Sequence, residues 1–341
     1  MLVSAEIPAV LVLVPVIPMA EATARMGIPG LPQRFRGSNI AGEVQIYEVS
    51  PRDGLQAERE KVPTGVKVEL IQRLAAAGLR AIEATSFVSP RWVPQLGDAE
   101  EVTSALDMSG PVRYPVLVPN LKGLQRAMDA GAREIAVFAS ATESFARNNL
   151  NTTVDGALEM FEPVIATARE HGMPVRGYIS MCFGDPWEGA VQPGQVVYVA
   201  AKLVESGCTS LSLGDTIGTG TPGHVLALLD ALKSGGVGAD MLALHFHDTY
   251  GQALANVCAA LGAGVREFDS SAGGLGGCPY AKSATGNLAT EDLVWMLNGL
   301  DIETGVDLDL LIGTSVWMAE RLHRPSPSRV VNALAGSECD V

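Results

Sequence analysis

From Val44 onward the chain repeats one pattern: a short aliphatic and β-branched run, a polar turn, then a stretch with apolar residues at helical spacing that closes on glycine. Strand-length runs alternating with helix-length amphipathic stretches are the mark of βα units that build a parallel sheet. The pattern predicts strands at Val44–Glu48, Ala81–Ala84, Arg113–Leu117, Glu134–Ala139, Val175–Ser180, Ser210–Leu213, Leu242–His247 and Glu267–Ser270. Between and after them it predicts helices at Val66–Ala77, Ala99–Leu106, Leu121–Ala130, Thr153–Glu170, Gln195–Ser206, from Thr221-Pro222 onward, at Ala253–Ala263 and at Ala289–Asn298. Gly131 stands where a left-handed cap ends the third helix, and Pro222 sits in a first turn, where its missing N–H costs nothing.

About eight such units in about 255 residues predict an α/β fold of the (β/α)8 TIM-barrel class. A doubly wound open sheet is the alternative, but it usually has fewer strands, and no Gly-x-Gly-x-x-Gly follows the first one. We therefore assign residues 41–325 to a catalytic barrel, within which Gly305–His323 reads as an additional C-terminal helix, packed beneath the barrel or on a partner. Residues 326–341 read as a C-terminal tail. Ile7–Ala20 is apolar but broken by Pro8, Pro15 and Pro18, with no Lys or Arg before it. Such a run is too short to span a membrane and lacks the basic start of a secretory signal, so residues 1–40 are expected to be a disordered extension.

Composition adds three constraints. Hydrophobic residues make up 47% of the chain while aromatics make up only 5%, which suits strands buried on both faces and packed with small aliphatics. A net charge of −14 leaves no basic surplus to displace phosphate counterions, so nucleic-acid binding is excluded as a general function. Five scattered cysteines with no Cys-x-x-Cys pair read as free thiols in a reducing compartment, and a cytoplasmic location is expected.

In a TIM barrel the functional groups gather at the carboxyl ends of the strands. Here Leu242–Asp248 ends in His245 and His247, whose i, i+2 spacing on a strand puts both imidazoles on one face, an arrangement suited to a metal. Arg52 and Asp53 follow the first strand on an exposed loop, Glu83 ends the second, Tyr178 the fifth and Asp215 the sixth. The eighth opens into a glycine-rich loop leading to Cys278 and then Asn287. Each alone has a structural alternative, Asp and Asn as caps or turns, Glu83 as an ion pair, Cys278 as a small buried hydrophobe. Their convergence on one barrel end is what chance does not readily supply.

Five segments carry a resemblance: Glu48-Val-Ser-Pro-Arg-Asp-Gly-Leu-Gln56, Glu83-Ala-Thr-Ser-Phe-Val-Ser-Pro-Arg-Trp-Val-Pro-Gln95, Ser212-Leu-Gly-Asp-Thr-Ile-Gly218, His245-Phe-His-Asp-Thr-Tyr-Gly-Gln-Ala-Leu-Ala-Asn256 and Gly273-Gly-Leu-Gly-Gly-Cys-Pro-Tyr280. In this order they resemble the 3-hydroxy-3-methylglutaryl-CoA (HMG-CoA) lyases, a family of divalent-metal TIM-barrel enzymes, over about Val44–Arg324. The resemblance implies cleavage of HMG-CoA to acetyl-CoA and acetoacetate, as in leucine breakdown and ketone-body formation. It implies Asp53, His245, His247 and Asn287 as metal ligands, Arg52 and Cys278 as catalytic residues, and Glu83, Tyr178 and Asp215 as further active-site residues. The chain departs from the family pattern at Ser180-Met-Cys-Phe-Gly-Asp185, so Cys182 is given no catalytic part and fine substrate preference stays open there.

Breaking a β-hydroxy thioester between its tertiary alcohol carbon and its α-carbon needs a base for the hydroxyl proton and a means of holding the departing enolate. A cation chelated by the substrate's hydroxyl and carboxylate acidifies that hydroxyl, and the mixed N/O ligand set suits Mg²⁺ or Mn²⁺. Asp215 or His245 is the expected base, Arg52 the stabiliser of the enolate oxygen, and Cys278 the acid that protonates the carbanion. Gln56, Arg91 and Lys122, with Lys282, are expected to bind the acyl-CoA substrate, and the protein is expected to be a homodimer with no nucleic-acid or membrane partner. A lyase for a longer branched hydroxyglutaryl-CoA, a condensing acyltransferase and a keto-acid aldolase of the same superfamily remain as alternatives.

Overall fold

A computed structural model describes residues 42–277 and 286–335. Eight strands lie in chain order around the sheet: β1 (Gln45–Glu48), β2 in two ladder segments (Ala81–Ile82 and Thr85–Ser86), β3 (Val116–Leu117), β4 (Ile135–Ser140), β5 (Val175–Ser180), β6 (Ser210–Asp215), β7 (Leu242–Phe246) and β8 (Glu267–Ser270). Every pairing among them is parallel, and β8 pairs with β1. The second strand closes the barrel. Glu83 N donates to Glu48 O at 2.8 Å on one side, and Ala84 N to Pro115 O at 2.9 Å on the other.

Eight helices alternate with or follow these strands much as the apolar spacing predicts: α1 (Thr64–Ala76), α2 (Ala99–Ser104), α3 (Leu121–Asp129), α5 (Val154–Glu170), α6 (Pro193–Ser206), α7 (Pro222–Ser234), α8 (Ala253–Gly262) and α9 (Thr290–Gly299). A further helix, α4 (Glu143–Leu150), lies in the β4–α5 connection, where the polar sequence predicts only a loop. Caps fix the helix starts: the Asn120 side chain accepts from Gly123 N, and Thr153 from Gly156 N, each at 3.0 Å. Gly131 takes the expected left-handed conformation at φ 91°. Among the described residues, no helix is long and apolar enough to cross a membrane.

Alternation along each strand separates two interiors. Outward residues such as Ile46, Val137, Ile179, Leu213, Leu244 and Phe268 join the helices in one large apolar core. Inward residues form a smaller set around Tyr47, Ala81, Leu117, Ala136 and Tyr178, and Arg176, 2% exposed, crosses among them with its guanidinium 4.0 Å from the Tyr47 ring centroid.

The C-terminal helix α10 (Leu308–Arg321) packs against the side of the barrel on α1, not beneath it. Part of the segment read as a tail also belongs to the fold: α11 (Arg329–Ala335) packs on α9 and α10, and Ser328 Oγ donates to Asp292 Oδ1 at 2.7 Å. The N-terminal extension lies outside the described residues.

Candidate active site

The turn after β1, which the sequence reads as an exposed loop, is largely buried. After β1 the chain makes a single π-helical turn, Ser50–Gly54, with Pro51 at its start. Glu48 sets that turn. Its Oε1 accepts from Ser50 N and Ala272 N, each at 2.9 Å, and its Oε2 from Thr290 Oγ1 at 2.6 Å. One buried carboxylate thus joins the turn carrying Arg52 and Asp53 to the root of the glycine loop and to the start of α9. Arg52 is only 7% exposed, so the expectation of an exposed loop is corrected.

Arg52 is held on two sides. Its Nε and Nη2 each lie 2.6 Å from Glu83 Oε2, and its Nη1 lies 2.6 Å from Asp53 Oδ1. Burial works against its charge, but the Glu83 and Asp53 carboxylates override it and hold the guanidinium protonated. Glu83 stands between the two ladder segments of β2 and not at the strand end, and it also accepts from Tyr178 Oη at 3.2 Å. Tyr178 likewise lies two residues before the end of β5 and faces inward, with Arg52 5.4 Å from its ring centroid.

Asp53, His245 and His247 each present one ligand atom, and the three atoms lie within 4.8 Å of one another. Asn287 joins them, donating from Nδ2 to Asp53 Oδ2 at 2.8 Å and pairing its backbone with His247 across an isolated bridge. Burial raises the Asp53 pKa, but Arg52 and then His245 outweigh it and bring it down to about 2. Burial and the neighbouring His245 push His247 down to about 4, which keeps its imidazole neutral and able to ligate. Burial also opposes charge on His245, yet the Asp269 carboxylate at 3.2 Å raises its pKa overall.

The donor set fits a divalent metal. His247 Nδ1 and Asn287 Oδ1 are buried without a hydrogen-bond partner beside the Asp53 carboxylate, and groups of this kind are normally satisfied unless something else occupies the site. Gly276 shows how tightly the glycine loop closes on it: its φ is 117°, and a Cβ there would come within 2.6 Å of Asn287 Nδ2.

Asp215 ends β6 as predicted, on the outward parity of Leu211 and Leu213. Its Oδ2 accepts from Gly220 N at 3.0 Å, while its Oδ1 is buried and unpartnered. Burial pushes its pKa up to about 7, against a lowering by loop amides and His245. Gln56, Arg91 and Lys122 are exposed and stand apart from this buried cluster; Lys122 lies in the first turn of α3 and not on a loop. Cys278 and Lys282 lie outside the described residues.

The sequence reading missed Asp269, Arg176, Ser212 and Glu48. Glu267 and Asp269 at i, i+2 on either side of the outward-facing Phe268 are the signal for the first: both point into the barrel, where acids must find partners. It also missed a groove of about 960 Å³ between residues 57–63 and 318–324, with Gly276 and Gly277 at its edge and a mixed lining of Arg59, Lys61, Arg321 and Arg324 with Glu58, Glu60 and Glu320.

A family model described as HMGL-like matches residues 43–316. The chain belongs to the HMGL-like family. Among similar proteins of this HMGL-like chain is "Hydroxymethylglutaryl-CoA lyase, mitochondrial" of Arabidopsis thaliana, 55% identical over 291 residues, which are 85% of this chain and 62% of that protein. A Pseudomonas aeruginosa protein named "3-hydroxy-3-isohexenylglutaryl-CoA/hydroxy-methylglutaryl-CoA lyase" is 48% identical over 87% of this chain and 98% of its own length. The solved structure of an HMG-CoA lyase from Acinetobacter baumannii, in complex with coenzyme A and 3-methylmalate, superposes with a TM-score of 0.81. It is 37% identical, covering 88% of this chain and 97% of that one. The barrel architecture of the HMGL-like chain is thus that of solved lyases.

Proposed function

We propose that this chain is a metal-dependent carbon–carbon lyase that cleaves 3-hydroxy-3-methylglutaryl-CoA to acetyl-CoA and acetoacetate. The observation that carries the reading is the convergence of Asp53, His245, His247 and Asn287 beside Arg52 at the carboxyl end of one barrel. Relatives at 48–55% identity bear lyase names, and this supports the reaction class.

Asp53, His245, His247 and Asn287 would hold Mg²⁺ or Mn²⁺, which supplies Lewis acidity to the substrate's tertiary hydroxyl and carboxylate. The chain's own residues do the rest. Asp215 takes the hydroxyl proton; a pKa of about 7 and a free Oδ1 suit it to that task, whereas His245, with Nδ1 turned to Asp269 and its other nitrogen offered to the metal, has no lone pair left for a proton. As the oxygen electron pair forms the ketone of acetoacetate, the carbon–carbon bond breaks and its pair passes to the thioester as an enolate. Arg52, kept cationic and immobile by Glu83 and Tyr178, meets the charge on that oxygen without reorganising. Cys278 delivers the proton that completes acetyl-CoA.

The groove beside the site takes the polyanionic end of coenzyme A, with Arg59, Lys61 and Arg321 to answer the ligand's phosphates while Arg324 is held by Glu58. Binding of acyl-CoA is supported by the coenzyme A found with a lyase of this family. A cytoplasmic location fits the free thiols of Cys182, Cys208 and Cys258, and a homodimer is the assembly to test by light scattering.

Metal-loaded protein incubated with HMG-CoA should release acetyl-CoA and acetoacetate in equal amounts. No product with either Mg²⁺ or Mn²⁺ refutes the assignment. The double name of the Pseudomonas relative favours one second reading, a longer branched substrate, and a higher kcat/KM on 3-hydroxy-3-isohexenylglutaryl-CoA would establish it.

A further inference from the structure

Of the two ligand histidines, His247 keeps the buried, unpartnered Nδ1 noted above for the ion. His245 Nδ1 lies 3.2 Å from Asp269 Oδ2, and the two residues are in-register partners on β7 and β8, both pointing into the barrel. Asp269 is itself fully held. Its Oδ2 accepts from Ser212 Oγ at 2.8 Å, and its Oδ1 pairs with Arg176 Nη2. Arg176 also pairs with Glu267 and is stacked between the Tyr47 and Tyr178 rings, 4.0 and 5.3 Å from their centroids.

Resting on the metal centre assigned above, we infer that Asp269 is its positioning residue. A carboxylate only accepts, so the proton of a neutral His245 ring must sit on Nδ1, and Nε2 becomes the one lone pair the ring can offer. Ser212 and Arg176 keep Asp269 from rotating or taking up the proton's place with another partner. His245 is therefore preset in tautomer and ring orientation before any ion arrives.

In Asp269→Asn, Arg176 retains the side-chain oxygen, because an amide NH₂ facing a guanidinium would set donor against donor. The amide NH₂ then turns to His245 Nδ1, which must become an acceptor, and the proton moves to Nε2.

The decisive measurement needs neither metal nor turnover. The protein has five histidines, so ¹⁵N-histidine labelling of the metal-free enzyme resolves each ring by long-range ¹H–¹⁵N correlation. Followed up in pH until the ring is neutral, His245 in the native protein should carry its one proton on Nδ1, and in Asp269→Asn on Nε2. Calorimetry should then show Mn²⁺ binding weakened about 10- to 100-fold in the variant, with a cooperative melting transition retained. A native His245 protonated on Nε2 overturns the inference even if the variant fails to fold. A variant that switches tautomer yet binds Mn²⁺ as the native protein does overturns it as well. Failure of the native protein to bind any divalent ion would overturn the metal assignment instead, leaving the tautomer result to stand alone.

Discussion

The two faces of the barrel sheet obey different rules. Outward positions carry Ile46, Val137, Leu213, Leu244 and Phe268 against the helices, and any residue of similar volume and hydrophobicity serves there. Inward positions carry Arg176, Tyr178, His245 and Asp269, each held by specific partners a few ångströms away. The outer face supplies stability through area. The inner face supplies geometry through charge, and there a substitution of the same size can still leave a partner stranded.

Three changes sharpen this contrast. The largest effect is expected for Arg52→Gln, where turnover should fall on the order of 10²–10³-fold, the scale seen when a preorganised donor to a developing oxyanion is lost. Calorimetric Mn²⁺ affinity should stay close to native, and unchanged turnover would remove Arg52 from the chemistry.

Next comes Leu203→Ala, on the barrel-facing side of α6 and fully buried against Gly177 on the outer face of the sheet. It should cost about 2–5 kcal/mol in urea unfolding while turnover per folded molecule holds steady. A proportional loss of turnover would mean that the faces are not separable.

The smallest, per pH unit, concerns Glu291. Burial pushes its carboxyl up to about 8 from 4.5 although Gly273 N and Ser315 Oγ donate to it. The native state therefore keeps a proton that the unfolded chain releases. Its contribution is full below pH 4.5 and declines as pH rises towards 8, by at most about 1.4 kcal/mol per unit. Unfolding measured across that window should flatten in Glu291→Gln; an unaltered slope would assign the proton elsewhere.

The same division explains what could be read from the chain. Outward residues announce themselves as aliphatic runs, so the strand order and the closing βα units were legible. Asp53, His245, His247 and Asn287 lie in or beside the segments that carry the resemblance, and the fold brings them together. The setting of Arg52 was not legible, because its π-helical turn depends on Glu48 bridging Ser50, Ala272 and Thr290, groups up to 242 residues apart. The groove escaped for a related reason. Residues 58–61 and 321–324 meet only because α10 packs along α1, and no local pattern reports that.

Asp53 touches Asn287 across 234 positions of chain. A growing polypeptide cannot make that contact until its last barrel unit has emerged, and joining such distant parts is the slow step of folding. Incomplete or nascent chains should therefore be inert towards both ion and thioester, and activity during synthesis should appear abruptly, with the final helices, instead of accumulating strand by strand.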